Sequence, residues 1–137
     1  MIEVCRYFFR ARVLRTRLEE LIEKHGGAVP AVEREWDEFW AYYSFWLAGL
    51  WVVCEGFERI AFPDPAFLAR VKQARSFLHP VRQATFHFKP DTSQMMRHFD
   101  DHRDVMATAW AIHDEILDVV GQFLASLPDE HLDSLPD

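Results

Sequence analysis

The chain has 137 residues, enough for one domain around a single core. Half of it is hydrophobic, with 12 Phe and 5 Trp, which excludes a disordered chain. The formal net charge of −7 excludes a protein that coats DNA with a wholly basic surface, but leaves room for a local basic site.

Cys5 and Cys54 are the two cysteines, and they form no CxxC pair. With no signal-peptide pattern at the start, they predict free thiols in a reducing, cytoplasmic protein. The stretch from Phe39 to Cys54 carries no charge. It is shorter than the roughly 20 residues a spanning helix needs, and acidic residues bracket it without a basic cluster on either side. It reads as a buried helix of a soluble protein, with no membrane role.

Residues Ile2 to His25 read as the first helix. Val4, Phe8, Val13, Leu14, Leu18, Leu21 and Ile22 approximate one apolar face, and Gly26-Gly27 is a stop signal. Arg6, Arg10, Arg17 and Lys24 fall near one line, with Arg12 and Arg15 beside it. The plainer reading is a solvated face. The functional one is a strip that binds RNA phosphates through Arg6, Arg10 and Arg17.

Pro30 opens the second helix, which is expected to run to about Phe62. Trp36, Trp40, Tyr43, Leu47, Leu50, Cys54, Phe57 and Ala61 form a heptad-like seam. Phe39, Trp46, Val53 and Ile60 form a second stripe. Two apolar faces predict that this long helix is central, or that one face meets another subunit. Gly49 and Gly56, seven apart, predict close approach of another backbone. These features together lead us to expect a homodimer.

Pro63-Asp64-Pro65 is a break and a restart, with Asp64 as cap and Pro65 in the first helical position. The third helix should run to about His87, kinked at Pro80. Asp91 with Gln94 resembles a capping box, from which helix continues to about Ser126. Met106, Trp110, His113, Leu117, Val120 and Leu124 are its apolar seam. Residues 127–137 hold four acidic residues and two prolines without Lys or Arg, and read as a disordered tail. No strand-like alternation or internal repeat is present. The expectation is an all-α bundle of four to five helices over residues 1–126.

Chemistry concentrates between Leu78 and Phe88. His79, Gln83 and His87 recur every four residues and so share one helix face, with Arg82 on its flank. An arginine and a histidine at this spacing suit RNA cleavage without a metal. The ribose 2′-OH attacks the adjacent phosphate, histidine shuttles the proton, and arginine holds the charge that builds on phosphate. The plainer reading is a salt-bridged arginine and a hydrogen-bonded helix histidine. Glu55 and Arg82 are each the lone charge of an apolar segment, so the two are expected to pair.

Val52-Val53-Cys54-Glu55-Gly56-Phe57-Glu58, then Asp64-Pro65, Phe77-Leu78 and Val81-Arg82-Gln83-Ala84-Thr85-Phe86-His87-Phe88, resemble the HEPN superfamily of small helical proteins. The likeness is to members that read "EGW … LRNAVFHY", and Trp110-Ala111-Ile112-His113 also fits. It extends over roughly Trp36 to Leu124. The resemblance implies a helical homodimer in which two Arg-x4-6-His motifs meet at a cleft between subunits. In many members that cleft is a metal-independent endoribonuclease, acting as a toxin or in phage defence, and held in check by an antitoxin-like partner. On this likeness Arg82 and His87 are the catalytic pair, with Glu55, His79 and Gln83 in support. The chain departs from the pattern at Gln83, where members often carry Asn. It departs again at Lys89, where some carry a tyrosine that the antitoxin modifies.

Two other readings stand beside the nuclease. One is a non-catalytic dimeric helical module that binds a protein or nucleotide partner. The other is a metal site built from His98, His102 and His113, although no His-Glu-x-x-His pattern supports it. No metal and no cofactor is expected.

Overall fold

The structure, a computed structural model, describes residues 1–31, 33–86 and 104–128. These contain four helices and no strand: α1 (Ile2–Lys24), α2 (Glu33–Arg59), α3 (Pro65–Phe86) and α4 (Asp104–Ala125). The all-α reading holds. The Asp91/Gln94 capping box and nearly all of the acidic tail lie outside the described residues. No helix among the described residues is long and apolar enough to cross a membrane.

Local chemistry sets the helix ends. Gly26 and Gly27 take φ of 66° and 88°. Their N–H groups donate to Glu23 and Ile22 carbonyls, both at 2.9 Å, which closes α1 with a Schellman motif. Asp64 caps α3 as expected: its Oδ1 accepts from the Ala66 and Phe67 N–H groups, both at 2.9 Å. Helix α2 stops at Arg59, short of the expected Phe62, because a second Schellman motif forms there. The Ala61 N–H donates to Glu58 at 3.1 Å and the Phe62 N–H to Phe57 at 3.3 Å. Phe62 also folds its ring onto Phe57, with centroids 5.4 Å apart. The left-handed residue of this cap is Ala61, at φ 48°, so no glycine marks the stop.

Helices α1 and α3 both run antiparallel to α2. Gly49 lies over Ala11 and Gly56 over Val4; a Cβ at Gly56 would meet the Val4 Cγ2 at 3.0 Å. On the other side, Phe45 meets Phe86 and Phe57 meets Phe67. Helix α4 runs antiparallel to α1, joined to it through Arg15–Asp114 and a 3.2 Å bond from Trp110 Nε1 to Glu19. Arg70 ties α3 to Glu115 of α4 at 2.7 Å. Phe8, Phe39, Trp46, Leu47, Leu50, Phe57, Phe67 and Ile116 are sealed inside, each contributing roughly 1.5–3 kcal/mol. Cys5 and Cys54 are buried free thiols, and burial pushes Cys54 up to about 12.

Three details differ from the sequence reading. Val13 is 61% exposed and does not join the core. Helical rotation carries it about 140° round from Phe8, and Cys5 and Ala11 fill the inward face instead. The buried apolar ridge of α4 is Val105, Ala109, Ile112, Ile116 and Val120; of the expected seam His113 and Val120 are buried, while Met106, Trp110, Leu117 and Leu124 lie half-buried on its flank. The two apolar stripes of α2 are covered largely within the chain, and Gly49 and Gly56 answer to α1. Trp36 and Ile60, at the two ends of these stripes, stay exposed, so the contacts within one chain argue neither for nor against a second copy.

One polar contact sits in this core. Trp46 Nε1 donates to His113 Nδ1 at 3.1 Å, and the imidazole is only 1% exposed. Burial, with positive Arg15 and Arg12 nearby, outweighs Asp114 and pushes His113 down to about 4 from 6.5.

Two outcomes are expected. Ala61→Gly relieves the left-handed strain at some entropic cost in the unfolded chain. It should stabilise by about 0.5–1 kcal/mol, read as a raised midpoint in urea; an unchanged midpoint refutes the strain. The second concerns pH. The folded pKa of His113 lies below the unfolded one, so the unfolded chain takes up the proton first. The stability from neutral His113 is whole above about pH 6.5 and is lost as pH falls toward about 4. The full loss is about 3 kcal/mol. Melting temperatures should already fall between about pH 6.5 and 5, above most carboxylate titration. His113→Phe should flatten that slope, and equal slopes in the two proteins refute it.

Candidate functional site

The site is built where the second half of α3 lies against the middle of α2. Arg75, His79 and Arg82 recur at i, i+4 and i+7, so they line one face of α3. The antiparallel register sets that face against Trp51. The Arg82 guanidinium stands over the indole at 4.4 Å from its centroid, Arg75 at 5.9 Å, and the His79 ring at 6.0 Å. Trp51 is nearly buried, at 8% exposed. A guanidinium over an indole gains roughly 0.5–2 kcal/mol, more as water is excluded.

Glu55 does not pair with Arg82. Its Oε1 accepts from Arg59 one turn on, at 3.1 Å. The register explains this. Trp51 faces Arg82 and Glu58 takes Arg75 at 3.0 Å, so Glu55 falls level with Leu78, a full turn short of Arg82. Arg82 is left with the indole face. Its Nε is shut from solvent, and among the described residues neither it nor the Trp51 Nε1 has a hydrogen-bond partner. Buried donors without partners are uncommon and cost free energy. Among the described residues Arg82 makes no ion pair, whereas Arg6, Arg15, Arg17, Arg59, Arg70 and Arg75 each hold a carboxylate.

His79 is exposed and Gln83 half-buried, one turn apart on α3. Pro80 is accommodated inside the helix, and Thr85 Oγ1 donates back to the Val81 carbonyl at 2.8 Å. His87 lies outside the described residues, immediately after Phe86. Phe86 and Phe45 are both exposed and meet edge to face at 6.1 Å, one turn beyond Arg82.

The expected arginine strip of α1 is partly neutralised. Arg6 pairs with Glu3 and Arg17 with Glu20, while Arg10 stands over Tyr7 at 5.5 Å. No contact among the described residues joins these arginines to Arg82. The metal reading also changes. His113 is committed to Trp46 in the core, and His98 and His102 lie outside the described residues. Among the described residues no three His, Cys, Asp or Glu side chains gather into a metal-holding group.

The residue that sequence reasoning missed is Trp51. It lies off both apolar stripes of α2, and an aromatic side chain out of register with its own helix was the available signal. No protein-family model, no curated protein and no solved structure matches the chain.

The Trp51–Arg82 contact is open to a double-mutant cycle. Trp51→Leu and Arg82→Met, singly and together, should show a coupling of about 1 kcal/mol in urea unfolding. A coupling indistinguishable from zero removes the indole as the seat of Arg82.

Proposed function

We propose that the protein is a HEPN-type, metal-independent endoribonuclease that works as a homodimer, with Arg82 and His87 as its catalytic pair. The observation that supports this reading is the state of Arg82. Its guanidinium is held on an indole face and has no carboxylate partner among the described residues, so its charge is available to an incoming phosphate. An arginine spent on Glu55 would have favoured a purely structural role.

The chemistry follows from the two side chains. Neutral His87 takes the proton as the ribose 2′-oxygen attacks phosphorus. The bond from phosphorus to the 5′-oxygen breaks, and that oxygen leaves with the proton that His87 took up, which returns His87 to its neutral form. The products are a 2′,3′-cyclic phosphate and a 5′-hydroxyl. Arg82 offers fixed donors to the non-bridging oxygens as their charge grows, and a seat on Trp51 reduces the reorganisation this requires. Gln83 and His79, on the same stretch of α3, are available to hydrogen-bond the neighbouring ribose or phosphate. On the same reading an antitoxin-like protein restrains the enzyme in the cell.

His87→Ala and Arg82→Ala should each lower cleavage of single-stranded RNA by about 10²–10⁴-fold, with circular dichroism unchanged. EDTA should leave the rate intact, and light scattering should give twice the chain mass. If varied RNAs stay uncut, or His87→Ala cuts as fast as the parent, the nuclease assignment falls. The non-catalytic helical module then takes its place.

A further inference from the structure

A cavity of about 1160 Å³ opens along the outer side of α1 and reaches Leu124 near the end of α4. Four arginines line it, Arg6, Arg10, Arg12 and Arg17, against two glutamates, Glu3 and Glu20. The chain as a whole carries −7, so this groove inverts the charge of the molecule around it. Glu3 and Glu20 occupy Arg6 and Arg17. Arg10 and Arg12 make no ion pair among the described residues, and both are exposed. Two aromatic rings share the groove: Tyr7 is 45% exposed and Phe9 37%. Exposed rings normally cost free energy, and here each is followed three residues on by a cation without an ion pair among the described residues, Tyr7 by Arg10 and Phe9 by Arg12.

We propose that this groove binds single-stranded RNA, with Arg10 and Arg12 on the phosphates and with Tyr7 and Phe9 stacking on bases. Stacking needs bases whose faces are free, and a duplex has already buried its own. The positive surplus suits a polyanion, and two ring–cation pairs, each one helical turn apart, suit a strand that repeats base and phosphate. A bilayer is flat and does not enter a concave groove. The groove is separate from Arg82; the choice of RNA over DNA rests on the nuclease reading.

The test uses the full-length His87→Ala chain and a short fluorescein-labelled RNA without secondary structure, read by anisotropy. Tyr7→Ala and Phe9→Ala should each weaken binding about tenfold. Arg12→Ala should weaken it too and lower the slope of log affinity against log salt by about one. Arg34→Ala, an exposed arginine outside the groove, should change nothing. Tyr7, Phe9 and Arg12 are exposed, so a melting curve that matches the parent confirms folding in each variant. Unchanged affinity in all three groove variants overturns the proposal. Equal binding of the RNA duplex or of the DNA strand of the same sequence also overturns it. So does binding to anionic phospholipid vesicles that these variants abolish while RNA stays unbound. A rise to twice the chain mass that the groove variants abolish, with RNA again unbound, assigns the groove to a second copy and overturns it as well. The readout is binding by a chain that lacks His87, so loss of the nuclease reading leaves a positive result standing, and the reverse holds.

Discussion

The hydrogen bond between Trp46 and His113 gives the core its direction. The side chains around it are almost all hydrocarbon or aromatic rings, which attract one another without regard to orientation. An indole N–H and an imidazole nitrogen are different. Each is costly when buried alone, and only one rotation of α4 about its axis lets them meet. Trp46 is fixed by α2, so the bond fixes α4. Asp114 and Glu115, the next residues along, are then turned toward Arg15 of α1 and Arg70 of α3. These outer pairs are exposed and weak, and they follow from the inner bond.

A second consequence of close packing appears on the opposite side of α2. The register that lets α3 pack against it sends Arg82 to an indole and Glu55 to its own helix. Ion pairing and burial here are decided by which turn faces which, and charge attraction did not override it. A cation over an indole keeps its charge unneutralised, while a carboxylate partner would have cancelled most of it. The difference matters for any anion that approaches, since an arginine that must first release a carboxylate binds the anion more weakly.

Much of the fold was legible because it depends on local chemistry. Asp64-Pro65 and Gly26-Gly27 mark their helix ends through side-chain and backbone preferences that need no tertiary partner. The end of α2 was not legible, because an alanine took the left-handed place that glycine usually fills. Helical periodicity found the inward faces of α1 and α2 but misplaced Val13 and centred the α4 seam on the flank of the buried ridge. Such a shift changes the apolar pattern little when the flank is half-buried. The candidate site was legible in part. Arg82, His79 and Gln83 stand out as polar residues in an apolar run. Trp51 did not, since its role comes from Arg82 on the next helix, 31 residues on in sequence, whereas Glu55 found its partner, Arg59, one turn on in its own helix.

The two thiols give the fold an unplanned property. Cys5 and Cys54 are sealed among α1, α2 and their neighbours, and burial pushes the Cys54 thiol up to about 12, which disfavours its thiolate at neutral pH. Oxidants and alkylating agents act on the thiolate and need access to it. In the folded chain both conditions fail. Reaction at these sulfurs therefore counts the moments when the packing around α1 and α2 opens, and its rate is a clock for that motion carried within the protein itself.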